Sequence, residues 1–263
     1  MPDPRIPEII VHTTADDLAD DVAVRLSEVL AAAQAEGRVP SIALTGGTIA
    51  DKVHRALAGV SSGRFDWSQV DVWWGDERYL PASSDDRNAK QAREALLDHV
   101  GIPPERVHEM PSSDGGPGGP GGPGGIDEAA RAYGDQLRHA GGDRFDVVML
   151  GVGPDGHVAS LFPRSTQLDV DDAVAVAVLG SPKPPPERIS LTFGALNRAR
   201  EVWFVASGAE KAEAVARATA TGDEAADLHA VPAAGVHGEE RTLWFLDERA
   251  ASQLASVPPR TDP

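Results

Sequence analysis

Short apolar runs of strand length alternate along this chain with longer stretches in which apolar residues return every three or four positions. That pattern predicts a mostly parallel open sheet with helices on both faces, a Rossmann-like α/β arrangement. The first run, Glu8 to His12, is followed by Thr14, a good helix N-cap. Asp16 and Asp17 place negative charge at the positive end of a helix that runs to about Glu36 and stops near Gly37. Ser41 to Leu44 reads as a strand leading through two glycines into a helix from about Thr48 to Leu57, and Val70 to Trp74 as the next strand. Asn88 to His99 and Ile126 to His139 have helical period, while Phe145 to Leu150 and Ala173 to Leu179 are further apolar runs. Glu201 to Ala206 and Thr242 to Leu246 are expected as late strands, each followed by a helix, at Ala209 to Ala220 and Glu248 to Leu254.

Between these elements, Ser112 to Gly125 is almost only Gly and Pro with a few Ser and Asp. Such a tract cannot bury enough apolar surface to offset its ordering entropy, so a flexible loop is expected at 112–125. Strand and helix signals resume directly after it, and residues 1–263 are therefore read as a single domain with that loop inserted.

Cysteine is absent, which rules out disulfides and thiolate metal sites and fits a reducing compartment. The first residues carry Asp3, Arg5 and Glu8 rather than the apolar run of a secretory signal, and no stretch reaches the roughly 18 apolar residues of a membrane helix. A cytoplasmic location is expected. The net charge of −17 argues against nucleic acid or an anionic membrane as partner. A small anionic ligand is still compatible, provided that a local cluster of arginine, lysine and backbone N–H groups overrides the general field.

In an open α/β sheet, ligands bind beyond the carboxyl ends of the strands, which directs attention to three segments. Leu44 runs through Thr45, Gly46, Gly47 and Thr48 into a helix start, where glycine lets backbone approach an anion and the first helical N–H groups favour negative charge. A bare Gly-Gly turn is more often only a tight strand-to-helix connection; the segment lacks the ending of a Walker loop and the third glycine of a dinucleotide fingerprint. Trp73 and Trp74 lead through Gly75 to Asp76, Glu77 and Arg78, before Tyr79, Leu80 and Pro81. These three charges read either as a solvated turn or as site residues, in which Arg78 grips an anion with its planar fork and Asp76 and Glu77 orient it. In the third segment, Gly151 to Pro163, Asp155 and His157 flank Gly156 at the mouth of the most apolar strand. A carboxylate there can fix an imidazole's tautomer and make it a usable general base, although a Pro-Asp-Gly turn and a lone histidine are common structural features.

Taken together, these blocks resemble the 6-phosphogluconolactonase family. Ala43 to Thr48 is similar to its strand-loop-helix block with paired glycines, and Trp73 to Arg78 to its aromatic strand ending in Asp-Glu-Arg. Gly151 to Pro163 matches Gly-x-Gly-x-Asp-Gly-His-x-Ala-Ser-Leu-Phe-Pro without a gap. Ser181 to Thr192, Ser207 to Lys211, and Trp244 to Asp247 with Ala250 match further blocks, collinearly from about residue 9 to 255. The resemblance implies hydrolysis of 6-phospho-D-glucono-1,5-lactone to 6-phosphogluconate in the oxidative pentose phosphate pathway, without metal or organic cofactor. It implies His157 as general base held by Asp155, and Gly46, Gly47, Thr48, Arg78, Lys183, Arg188 and Lys211 as candidates for the phosphate or the oxyanion. The expected partner is a small phosphorylated sugar lactone, with no nucleic acid and no membrane.

Two departures matter. The glycine loop usually continues as Ser-Thr-Pro, whereas Thr48, Ile49 and Ala50 stand here, and Ile49 has no side-chain donor. Glucosamine-6-phosphate deaminases share the fold and some blocks but carry a catalytic glutamate where this chain has Phe162. The deaminase reading is thereby weakened. A non-enzymatic sugar-phosphate-sensing domain is a third reading, disfavoured by the acidic charge and by a chain that begins almost directly with its first strand.

Overall fold

A computed structural model describes residues 6–60, 63–115, 125–140, 144–222 and 226–255. The first half holds β1 (Glu8–His12), α1 (Ala15–Ala35), β2 (Ser41–Leu44), α2 (Thr48–Val60), β3 (Asp71–Trp74), β4 (Asp76–Arg78) and α3 (Asn88–Ala95). The second holds α4 (Gly125–His139), β5 (Val147–Leu150), β6 (Ala175–Val178), β7 (Arg188–Leu191), α5 (Phe193–Leu196), β8 (Glu201–Ala206), α6 (Ala212–Thr219) and β9 (Arg241–Asp247). Six strands form a parallel sheet in the order β1-β9-β8-β5-β2-β3, the mostly parallel α/β sheet expected from the sequence.

Strands β2 and β5 are buried along their whole length, which is why they read as continuous apolar runs rather than alternating ones. On α1, Leu18, Val22, Leu26 and Leu30 recur every fourth residue and are fully buried. Its start is a reciprocal capping box: Thr14 Oγ1 accepts from Asp17 N and the Asp17 carboxylate accepts from Thr14 N, both at 3.1 Å. Gly37, at φ +77°, lets the chain leave the helix.

The expected alternation misses a second sheet. Strands β4, β7 and β6 form a three-stranded antiparallel sheet in that order. Gly75 is the junction: its N–H donates to Leu44 O in the parallel sheet, and its carbonyl accepts from Leu191 N in the antiparallel one. Asp76, Glu77 and Arg78 are therefore strand residues, and the solvated-turn alternative is excluded for Asp76 and Glu77, which are 6% and 1% exposed. At the edge of the parallel sheet, the Tyr133 hydroxyl accepts from Trp74 N and donates to Trp74 O, closing a pair of groups that no neighbouring strand reaches.

Three local expectations change. The helix from Asn88 stops at Ala95, because Leu96 adopts φ −140°, and a 3-10 turn over Leu97–His99 follows. After β9 the chain forms turns, not the helix expected at Glu248 to Leu254, since Asp247 Oδ1 accepts from Ala250 N and pulls the backbone round. Of the Gly/Pro tract, residues 116–124 lie outside the described residues. Its beginning is anchored: Ser112 is buried and donates to Asp114 Oδ1 at 2.7 Å, while Ser113 N donates to Leu80 O.

Candidate active site

The carboxyl ends of β2, β3, β5 and β8 open onto a cavity of about 600 Å³. It brings together most of the residues singled out in the sequence: Gly46, Gly47 and Thr48 after β2, Asp76 and Arg78 on β4, His157 after β5, Lys183 and Arg188 before and on β7, and Lys211 after β8. Six basic side chains line it, Lys52, Arg78, Lys183, Arg188, Lys211 and Arg249, against two acidic ones, Asp76 and Glu210. In a chain of net charge −17, this is the local positive field that a small anionic ligand requires.

His157 Nδ1 lies 2.5 Å from Asp155 Oδ1. A carboxylate can only accept, so Nδ1 carries a proton, and in the neutral imidazole Nε2 keeps its lone pair. Partial burial opposes the Asp155 charge, but the hydrogen bond from His157 and the charges of His157 and Lys183 outweigh it and hold this carboxyl well below the usual range. Lys183 Nζ stands 3.6 Å from the same oxygen and 3.4 Å from His157 Nδ1. Close packing of this loop is visible at Gly153, where any Cβ would fall 2.0 Å from His157 Nδ1. Phe162 underlies the imidazole with ring centroids 4.6 Å apart. Ala159, next to the loop's buried Ser160, adopts a left-handed φ of +50°, an unusual conformation for a residue with a side chain.

Arg78 and Arg188 are directly paired across the antiparallel β4 and β7. Like charges in register repel, an arrangement that gains from an anion between or beside them. Arg188 is partly committed elsewhere, donating to the carbonyls of Lys183, Pro184 and Pro185 at 3.2 Å, and so shapes the loop that carries Lys183. Burial, followed by the proximity of Arg78, lowers its pKa while Asp76 opposes the change. Burial first and Lys183 second lower the pKa of Lys211 as well. A bound anion would relieve both.

Asp76 and Glu77 do not touch the Arg78 guanidinium. Asp76 Oδ2 accepts from Ser160 Oγ at 2.6 Å. Glu77 accepts from the backbone N–H groups of Arg78, Asn88 and Ala89, each at 2.8 Å, with Arg87 at 3.8 Å. Burial pushes the Glu77 carboxyl up to about 7, against the pull of Arg87 and the three amides. The guanidinium is held instead by Asp86 O and Asn88 Oδ1.

Asn88, Lys52, Glu210 and Arg249 line the cavity but were missed in the sequence. An Asn at a helix start and single charges in helices or turns carry no signal until the fold places them. Among the described residues, no group of three or more His, Cys, Asp or Glu side chains could hold a metal ion, and no helix is long and apolar enough to cross a membrane.

The fold and this site define an α/β protein with a cation-lined cavity beyond the carboxyl ends of its parallel strands. Residues 13–244 match the family model described as glucosamine-6-phosphate isomerases/6-phosphogluconolactonase, and the chain belongs to that family. It is 45% identical over 256 residues to 6-phosphogluconolactonase of Streptomyces coelicolor, covering 94% of this chain and 95% of that one. To 6-phosphogluconolactonase of Mycobacterium tuberculosis it is 45% identical over 253 residues, covering 94% and 98%. Among solved structures, 6-phosphogluconolactonase from Trypanosoma brucei superposes with a TM-score of 0.81 at 30% identity, covering 95% of this chain and 99% of that one. A monomeric glucosamine-6-phosphate deaminase shares the fold at a TM-score of 0.76 and 16% identity.

Proposed function

We propose that the chain hydrolyses 6-phospho-D-glucono-1,5-lactone to 6-phosphogluconate in the oxidative pentose phosphate pathway. The observation that carries this reading is the Asp155 to His157 hydrogen bond at the edge of a cavity lined by six cations. His157 Nε2 takes a proton from water as its oxygen attacks C1 of the lactone. Charge moves onto the carbonyl oxygen, where preorganised donors stabilise it. The bond from C1 to the ring oxygen then breaks, and the proton held on Nε2 passes to that oxygen, leaving a carboxylic acid that ionises. Asp155 keeps Nδ1 protonated and stabilises the imidazolium between these two transfers.

Arg78, Arg188, Lys183, Lys211 and the N–H groups at Gly46, Gly47 and Thr48 serve the two negative charges of this reaction, the phosphate and the developing oxyanion. A lactone carbonyl is already electrophilic, so no organic cofactor or metal enters the step. Deamination of glucosamine 6-phosphate requires further proton transfers, and Phe162, 4% exposed beneath His157, cannot supply them. The test is to mix the purified protein with freshly made lactone and, separately, with glucosamine 6-phosphate, and to follow acid and ammonia release. Lactone opening above the spontaneous rate with no ammonia supports the reading; ammonia release without acceleration of lactone opening refutes it.

A further inference from the structure

We infer that Asn88 is a positioning residue, whose carboxamide oxygen holds the Arg78 guanidinium in the cavity without cancelling its charge. The inference rests on the reading that this cavity takes a phosphorylated lactone. Asn88 is 3% exposed yet reaches the cavity wall. Its amide orientation is dictated by its surroundings: Nδ2 donates to Asp76 O at 3.0 Å, a carbonyl that can only accept, so Oδ1 must face Arg78 Nη1, 2.5 Å away. The backbone fixes the same pair. The N–H groups of Arg78 and Asn88 both donate to one atom, Glu77 Oε1, at 2.8 Å, which clamps two residues ten positions apart to a single point.

The glycine loop is part of the device. A Cβ on Gly46 would lie 1.8 Å from Asn88 Oδ1, so the carboxamide occupies the space that the missing side chain leaves. Arg78 is thereby set beside the Gly46 to Thr48 turn. Opposing it is Arg188, its cross-strand partner, whose like charge pushes the Arg78 side chain away. Something must restrain that side chain, and both of its restraints, Asn88 Oδ1 and Asp86 O, are neutral acceptors. A carboxylate in the place of Asn88 would hold the guanidinium equally well but would spend its charge on the protein instead of the substrate.

This distinction makes the role testable. Losing a hydrogen bond to a charged group costs roughly tenfold or more in the affected constant. Asn88→Ala is therefore expected to lose about tenfold on the phosphorylated lactone, in whichever of kcat and KM Arg78→Ala also changes. In the Arg78→Ala background, the same substitution is expected to add less than about twofold, since residues acting through one another are not additive. Asn88→Asp, of the same shape, is expected to fall at least as far as Asn88→Ala. Full additivity in the double variant, or Asn88→Asp with wild-type kinetics, overturns the inference.

A measurement independent of activity is the ¹⁵N resonance pattern of the Arg78 guanidinium. Held at Nη1, the group should show resolved Nη signals in the wild type that merge in Asn88→Ala, and unchanged spectra overturn the inference. If the wild type opens no lactone, the proposed function fails while the spectra still decide the role of Asn88. Should Asn88→Ala not fold, Asn88→Asp carries both arms of the kinetic comparison.

Discussion

The Ser160 hydroxyl donates to Asp76 Oδ2 at 2.6 Å, tying the loop that bears His157 to the small antiparallel sheet that bears Arg78. Ser160 is fully buried, and its own N–H donates to Ser190 Oγ on β7. Removing the hydroxyl would leave a buried carboxylate oxygen short of a partner, at a cost of about 1 to 3 kcal/mol. Ser160→Ala is expected to lower the midpoint of urea unfolding accordingly and to loosen the His157 loop. An unchanged midpoint would show that Asp76 finds a replacement donor.

Asp155→Asn is expected to lower turnover by about a hundredfold or more, and further than Asp155→Ala. The amide nitrogen of asparagine can donate to Nδ1, which would drive the imidazole proton onto Nε2 and remove the lone pair that takes the proton from water. Alanine leaves the tautomer free. Steady-state rates on fresh lactone, corrected for spontaneous opening, decide it. Equal rates for the two variants would mean that Asp155 acts only through its charge. His157→Ala should lose at least as much, and a folded His157→Ala variant at the wild-type rate removes the proposed base.

What the sequence shows of this molecule depends on how local each determinant is. Strands β1, β2 and β8 have the bounds expected from their apolar runs, and Thr14 caps α1 as expected, because each is decided by neighbours a few positions away. Strand β4 is hidden because three charges in a row do not look like a strand. Glu77 is buried there only since three amides from two elements converge on it. Likewise Gly46 and Gly47 stand out as a turn, but the contact of Gly46 with Asn88 spans 42 positions and leaves no trace in either segment.

His54 gives a stability prediction away from the site. It is buried in α2 with Nε2 unpartnered, and burial lowers its pKa to about 4 from an ordinary 6.5. The unfolded chain therefore binds more protons than the folded one between these values, and stability present above about pH 6.5 is lost as pH falls toward 4. The loss attributable to this residue between pH 7 and pH 5 is on the order of 2 kcal/mol. His54→Leu should flatten that part of the profile, as read from urea unfolding at both pH values. A parallel decline in the variant would assign the acid sensitivity elsewhere.

Gly46→Ala probes the wall on which Arg78 is set. The added methyl would overlap Asn88 Oδ1, a side chain fixed at both ends, so relief requires either the carboxamide or the glycine loop to move. Either movement displaces an anion-facing group, and activity should fall while the protein stays folded. Gly47→Ala meets no atom within 4 Å but must hold φ +100°, a conformation that costs a residue with a side chain on the order of 1 to 3 kcal/mol. Its penalty should appear mainly in unfolding. The opposite assignment of the two penalties would show that the loop tolerates contact and is limited by backbone strain.

Phe162 separates the two reactions that share this fold. Its ring lies 4.6 Å from the His157 ring and 5.8 Å from Arg188 Cζ, so the residue is a spacer between base and cation. Apolar neighbours alone would drive a carboxylate introduced here to take up a proton, but Arg188 stands within reach and would pair with it. In Phe162→Glu the new carboxylate should therefore be ionised, tied to Arg188, and in competition with Asp155 for the imidazole. Arg188 holds the carbonyls of Lys183, Pro184 and Pro185, and drawing it toward residue 162 would slacken the loop over His157. Lactone opening is expected to fall by at least tenfold, from loss of a well-placed base. No ammonia should be released from glucosamine 6-phosphate, since one carboxylate does not supply the ring-opening geometry. Both rates can be followed on the same preparation, and a variant that gains deamination while keeping lactone opening would show that residue 162 alone selects the reaction.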